Sequence, residues 1–198
     1  MRRGWVMVVA VTWLWSCGGQ TPRDGGTGAP SPLPPIVPSP QPTPPSGAVP
    51  QVFVGAGDIS MCDGNAEATA RLLDGIGGTV FTLGDHAYFQ GTAQEFRDCY
   101  DPTWGRHKGR TRPVPGNHDY ESPGAAPYFT YFGASAGPSG LGYYSYDLGA
   151  WHVVALNSNI PIQAGTAQWA WLRQDLAANR AKCLLAYWHH PLFTSGPD

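Results

Sequence analysis

Apolar and polar positions alternate along the chain in two periods, and the change of period marks the elements. Gln51 to Ala56 is a short apolar run ending at Gly57-Asp58, which predicts a buried strand. From Asn65 to Asp74 the spacing lengthens: Ala66, Ala70 and Leu73 share one face of a helix that Asn65 can cap. Thr79 to Leu83 is a second apolar strand, ending at Gly84-Asp85, and Thr92 is placed to cap a helix reaching Cys99. Pro113 to Pro115 predicts a short strand leading into Gly116-Asn117. Tyr143 to Asp147 and His152 to Leu156 predict a strand pair around a turn at Gly149. Thr166 is placed to cap a helix to Ala178 whose inward face is read as Trp169, Leu172 and Leu176, and Cys183 to Trp188 predicts a last buried strand before His189-His190-Pro191. Strands alternating with helices predict an α/β fold.

The N-terminal residues follow a different pattern. Arg2 and Arg3 give a basic start, and Val6 to Trp15 is an apolar run of ten residues. A bilayer core of ~30 Å needs about 20 residues of helix, so this run predicts an export signal over residues 1–17 and not a span. Leu14-Trp15-Ser16-Cys17 resembles the lipobox of bacterial lipoproteins, in which the cysteine becomes the lipidated N-terminus. That resemblance implies an exported protein held on a membrane surface through Cys17 in the cell envelope, or secreted if Cys17 is not lipidated. Residues 18–50 are rich in Gly, Pro, Ser and Thr and cannot build a core. They predict an extended, disordered linker ahead of a domain over 51–198.

Composition narrows the classes. The 198 residues carry a formal charge of -2 with only 13% charged residues, so no basic patch for nucleic acid is evident. Of the four cysteines, Cys62 and Cys99 are the candidate disulfide, and Cys183 is expected to be free.

The chemistry lies at the strand ends. Asp58, Asp85 and Asn117 each follow a glycine that ends a predicted strand, and His189 ends a fourth. Open α/β sheets place their ligands at such carboxyl ends, and glycine permits the sharp turn. Asp85 lies 27 residues after Asp58 and Asn117 lies 32 after Asp85, enough for one strand-helix-strand unit each. Carboxylates, an amide oxygen and imidazole suit iron, zinc and manganese. A bridging carboxylate between two such metals would support attack on a phosphate ester by metal-activated water.

Gly57-Asp58, Gly84-Asp85-His86-Ala87-Tyr88, Gly116-Asn117-His118-Asp119 and His189-His190-Pro191, in that order, resemble the motifs of the calcineurin-like metallophosphoesterase superfamily. The variant is similar to the purple acid phosphatases: Ser60 stands where many members have a histidine, and Tyr88 stands at the position of a tyrosinate ligand. The resemblance implies a two-sheet sandwich flanked by helices, incomplete at its C-terminal side. It implies Asp58, Asp85 and Tyr88 on one metal and Asp85, Asn117 and His189 on the other. The metals would be iron with zinc or manganese, or iron alone, with a metal-bridging hydroxide as nucleophile and a small phosphate ester as substrate. His118 would act as general acid, and His190 would stand behind the ligands or face the substrate. The family's final Gly-His-x-His does not occur in these 198 residues, so this stretch alone is expected to hold metal weakly and to be impaired.

Two other classes compete. Gly133-Ala134-Ser135-Ala136-Gly137 fits the nucleophile-elbow pattern of serine esterases, with Asp147 and His189 following in the right order, though no apolar strand leads into Ser135. A surface-anchored binding module whose metal site has decayed is the other. His86, His107 and His152 read as ordinary polar groups, and Arg106 to Arg110 as a solvated loop.

Overall fold

The computed structural model describes residues 8–14, as a backbone strand, together with 50–63, 65–181 and 183–193. Cys17, the linker as far as residue 49 and residues 194–198 lie outside the described residues. Two sheets form the molecule. In the first, β1 (Val8–Leu14), β2 (Gln51–Ala56), β3 (Thr79–Leu83) and β4 (Thr111–Val114) lie side by side in sequence order. β2, β3 and β4 are parallel, and β1 is antiparallel to β2 with Leu14 opposite Gln51. β1 falls inside the run assigned above to an export signal. A short run of Val, Thr and Trp suits an edge strand as well as a signal, and periodicity does not separate the two. The second sheet orders β5 (Tyr144–Leu148), β6 (Trp151–Ala155) and β7 (Cys183–Tyr187), with β5 antiparallel and β7 parallel to β6.

Alternate residues of the central strands face two cores. Phe53, Phe81 and Val114 point toward the second sheet and meet Val153, Ala155 and Tyr187, with the Phe53 and Phe81 rings 4.4 Å apart. Val54, Ala56 and Val80 point the other way, under α1 (Asn65–Asp74) and the aromatic segments. Burial on both faces explains why these strands read as continuous apolar runs. β4 starts earlier than the Pro113–Pro115 expectation because it is an edge strand, where a proline is tolerated.

The helix expected after Thr92 is present, and further helical pieces that the apolar pattern did not show follow it. Thr92 caps α2 (Ala93–Glu95) through a reciprocal capping box with Glu95, and the chain continues through Phe96–Tyr100 in wider π-type turns. α3 (Ala126–Phe132) buries Tyr128 and Phe132 against Phe96, Tyr100 and His86. The run Trp104–Arg110 is a 3₁₀ helix and not a solvated loop. Arg106 binds Asp74 and Glu67, Arg110 donates to the carbonyls of Leu73 and Gly78, and His107 is buried over Ala70.

The inward face of α4 (Ala167–Ala178) also differs from expectation. Gln168 is buried and exchanges two hydrogen bonds with the Asn157 backbone, and Asp175 takes His152 and Ser145, so polar anchors set the rotation. Trp171 turns inward against Tyr143, whereas Leu176 is 40% exposed. Thr166 sends its hydroxyl back to Gln163 O and does not cap the helix by its side chain. Cys62 is joined to Cys99 across 37 residues, and no described cysteine is free, so Cys183 is not the free thiol expected.

Candidate metal centre

The loops after β2, β3, β4 and β7 meet at one end of the sandwich. The first two run on together past their strands: Asp58 N donates to Gly84 O, Ile59 N to Asp85 O and Tyr88 N to Ser60 O. Asp58 and Asp85 both adopt left-handed backbone, with φ of 56° and 53°, uncommon for residues with a Cβ. Two glycines permit the approach of the β3 and β4 loops. A Cβ on Gly84 would meet the Gly116 backbone and His189 Nδ1, and one on Gly116 would fall on the Asp85 carboxylate.

Asp85 is the floor of the site, 2% exposed, while Asp58 and Asn117 stand at an open rim. Its Oδ2 accepts the Tyr88 hydroxyl at 2.9 Å, and the same hydroxyl lies 2.6 Å from Asp58 Oδ1. Its Oδ1 accepts His118 N at 2.9 Å and lies 3.6 Å from His189 Nε2. His189 Nε2 is in turn 2.9 Å from Asn117 Oδ1. One oxygen of Asp85 therefore serves each half of the cluster, as a bridging carboxylate requires. The five residues assigned as ligands from the sequence come together.

The donor chemistry fits cations. His189 Nδ1 lies 2.5 Å from Leu83 O, which can only accept, so Nδ1 carries the proton. Nε2 then faces two oxygen atoms, Asn117 Oδ1 at 2.9 Å and Asp85 Oδ1 at 3.6 Å. A nitrogen and two oxygens turned toward one point are a donor set that suits a cation. On the other side, burial and the bond to Asp58 push the Tyr88 phenol well above its ordinary value, so two carboxylates share one phenol proton. A metal ion replacing that proton would satisfy all three oxygens. Among the described residues no group of three or more His, Cys, Asp and Glu side chains gathers to hold a metal. Asp58, Asp85 and His189 do not close on one point: Asp58 meets Asp85 through the Tyr88 hydroxyl and His189 meets Asn117, so each half of the cluster needs a donor outside those four residue types.

The two remaining histidines differ. His118 donates Nδ1–H to Phe89 O at 2.6 Å, which leaves Nε2 at the mouth, 4.0 Å from Asp85 Oδ2. His190 turns away from the cluster: its Nδ1 lies 2.7 Å from Ser158 Oγ, and burial followed by the neighbouring His189 lowers its basicity. Ser135 sits in a short 3₁₀ turn that follows α3, with no strand before it, so the elbow geometry is absent. Asp147 is engaged by His152 at 2.9 Å and His189 lies in the cluster above, which removes the serine-esterase arrangement.

Sequence reasoning missed three residues. Glu95 gathers the amides of Phe89, Gln90 and Thr92 around its carboxylate and so shapes the loop that carries Tyr88 and anchors His118. Its signal was present in the Thr92-x-x-Glu95 capping box. His86 and Asp119 are both wholly buried beneath the cluster and paired at 2.9 Å. No apolar pattern marks them.

A family model, Calcineurin-like phosphoesterase, matches residues 52–198. Purple acid phosphatase 23 of Arabidopsis thaliana is 26% identical over 189 residues, which cover 78% of this chain and 41% of that protein. The purple acid phosphatase PPD1 from seeds of yellow lupin (Lupinus luteus) superposes with a TM-score of 0.57 at 18% identity, over 69% of this chain and 29% of that one. The chain thus spans about two fifths of the curated relative's length.

Proposed function

The chain belongs to the calcineurin-like phosphoesterase family, and on that premise we propose that it forms part of a hydrolase of small phosphate esters with a dinuclear metal centre. The observation that carries the reading is the meeting of Asp58, Tyr88, Asn117 and His189 around the two oxygens of Asp85. Asp58, Asp85 and Tyr88 would hold one ion, and Asp85, Asn117 and His189 the other. A phenolate donor favours ferric iron for the first, with zinc, manganese or iron as its partner. Bound there, the pair would neutralise phosphate oxygens and bring a water pKa into reach of neutral pH.

The chain's own residues do the rest. Asp85, fixed on its buried side by His118 N, sets the separation of the two halves. The Phe89 carbonyl fixes the His118 tautomer, so Nε2 is the atom able to hold a proton for the departing ester oxygen. The open rim at Asp58 and Asn117 leaves room for substrate. Export, with Cys17 as lipid anchor and residues 18–50 as tether, belongs to the same reading. Incorporation of labelled fatty acid that disappears in Cys17→Ser would support the anchor.

Titration with ferric iron tests the ligand set. The expected result, at iron in large excess, is a visible phenolate-to-iron absorption band that vanishes in Tyr88→Phe, together with slow hydrolysis of an aryl phosphate, impaired in this stretch alone, that chelators and Asp85→Asn abolish. A colourless iron complex, with zinc- or manganese-supported hydrolysis unchanged in Tyr88→Phe, would remove Tyr88 from the site.

A further inference from the structure

Beneath the proposed metal centre lies a second carboxylate that touches none of its donors. Asp119 and His86 are each 0% exposed. Asp119 Oδ2 accepts three bonds: from Gly116 N at 2.8 Å, Asp85 N at 3.1 Å and His86 Nδ1 at 2.9 Å. Oδ1 lies 3.4 Å from His86 N. With Nδ1 turned to the carboxylate, His86 Nε2 pairs with the Thr82 hydroxyl at 2.7 Å, which ties the unit back into β3. The ring is walled by Phe96, Tyr100, Tyr128 and Phe132, so water does not compete for these bonds.

The amides that Asp119 collects are chosen in a telling way. One belongs to Asp85, whose left-handed backbone is costly and persists only if its surroundings hold it. The other belongs to Gly116, directly before Asn117. The same oxygen therefore sets two ligand loops, one from each of two neighbouring strands, at a fixed distance. We propose that Asp119, oriented by His86 and Thr82, is the positioning residue of the metal centre: it clamps the β3 and β4 loops so that the donors of Asp85 and Asn117 face one another. The proposal rests on the metal-centre reading above. It assigns Asp119 no contact with metal or substrate and no proton transfer.

Affinity for Mn²⁺, read from the resonance signal of the free ion, separates the two ideas. These 198 residues are expected to bind Mn²⁺ weakly but measurably, and Asp119→Asn to bind it about 10- to 100-fold more weakly still, the usual effect of removing a partner that orients ligands. Asp175→Asn, a carboxylate removed from under α4, is expected to leave the affinity unchanged. Circular dichroism confirms that each variant is folded. Folded Asp119→Asn with wild-type affinity overturns the clamp while leaving the metal centre intact. No Mn²⁺ binding by the wild-type chain overturns the metal-centre reading, and amide exchange then decides the clamp alone. If Asp119→Asn does not fold, His86→Gln takes its place. It is expected to speed hydrogen exchange at the Asp85 and Gly116 amides while leaving Val80 in the β3 core unchanged. Equal exchange at all three sites in His86→Gln and wild type contradicts the proposal.

Discussion

At Gly116 a single methyl group would fill the space in which the β3 and β4 loops meet. A Cβ there would overlap the Asp85 carboxylate and its amide. Neither can retreat, because the carboxylate is held by Tyr88 and His118 and the amide by Asp119. Gly116→Ala is therefore expected to weaken metal binding at least tenfold and to lower unfolding free energy by about 1–3 kcal/mol, the range for overpacking a close-fitted site. Metal titration and denaturant melts check both. At this scale the sequence was legible where chemistry sits on a motif: glycine followed by aspartate or asparagine at a strand end announces a turn with a donor. It was silent on Asp119, whose role depends on amides 3 and 34 residues away and on being wholly buried. No local spacing encodes that. Tyr88 was legible only through the family resemblance, since a lone tyrosine in an aromatic-rich chain reads equally well as packing.

Among the elements, α4 is where pattern and structure part. The stripe of Trp169, Leu172 and Leu176 suggested an apolar inward face, yet the helix is docked through Gln168 and Asp175, whose partners lie on β5, β6 and the loop at Asn157. Pattern reading counts apolar area and cannot see a polar side chain that finds a buried partner. The His152 contact has a pH signature. Burial opposes charge on the ring, but the bonds to Asp175 and Asp147 outweigh it and raise the imidazole above its ordinary value. A raised value means that the contribution is complete below about pH 6.5 and is lost as pH rises through the folded-state value. Urea melts from pH 6 to 9 are expected to show wild type losing about 1 kcal/mol that His152→Gln never had, the order of one charge-assisted bond partly open to water. A parallel loss in both proteins would rule out this contact as the source. The Cys62–Cys99 link joins the loop carrying Asp58 to the turns that follow α2. The double Cys→Ser variant is expected to lose about 2–4 kcal/mol, the usual worth of closing a loop of this length.

For the molecule as a whole, the two sheets matter because they bring distant segments to one edge. β2, β3 and β4 deliver Asp58, Asp85 and Asn117 from adjacent parallel strands, and β7, in the other sheet, delivers His189 across a separation of 106 residues to Leu83 O. The parallel order of three strands and the convergence of their loops followed from the sequence, because strand-helix-strand units repeat at regular spacing. The second sheet of the sandwich was legible only through the family resemblance, since its packing depends on Phe53, Phe81 and Tyr187 filling one shared layer. That layer holds the His189 loop over the first sheet, so the five side chains meet only when both sheets are in place.

Anomalous diffraction from crystals of the chain soaked in zinc decides whether Asp85 joins two cations. Zinc peaks are expected at about 2.0–2.2 Å from carboxylate and imidazole donors, with Asp85 bound to both and His189 and Asn117 bound to one. Peaks elsewhere on the molecule, with Tyr88 still bridging Asp58 and Asp85 and His189 still facing Asn117, would contradict it.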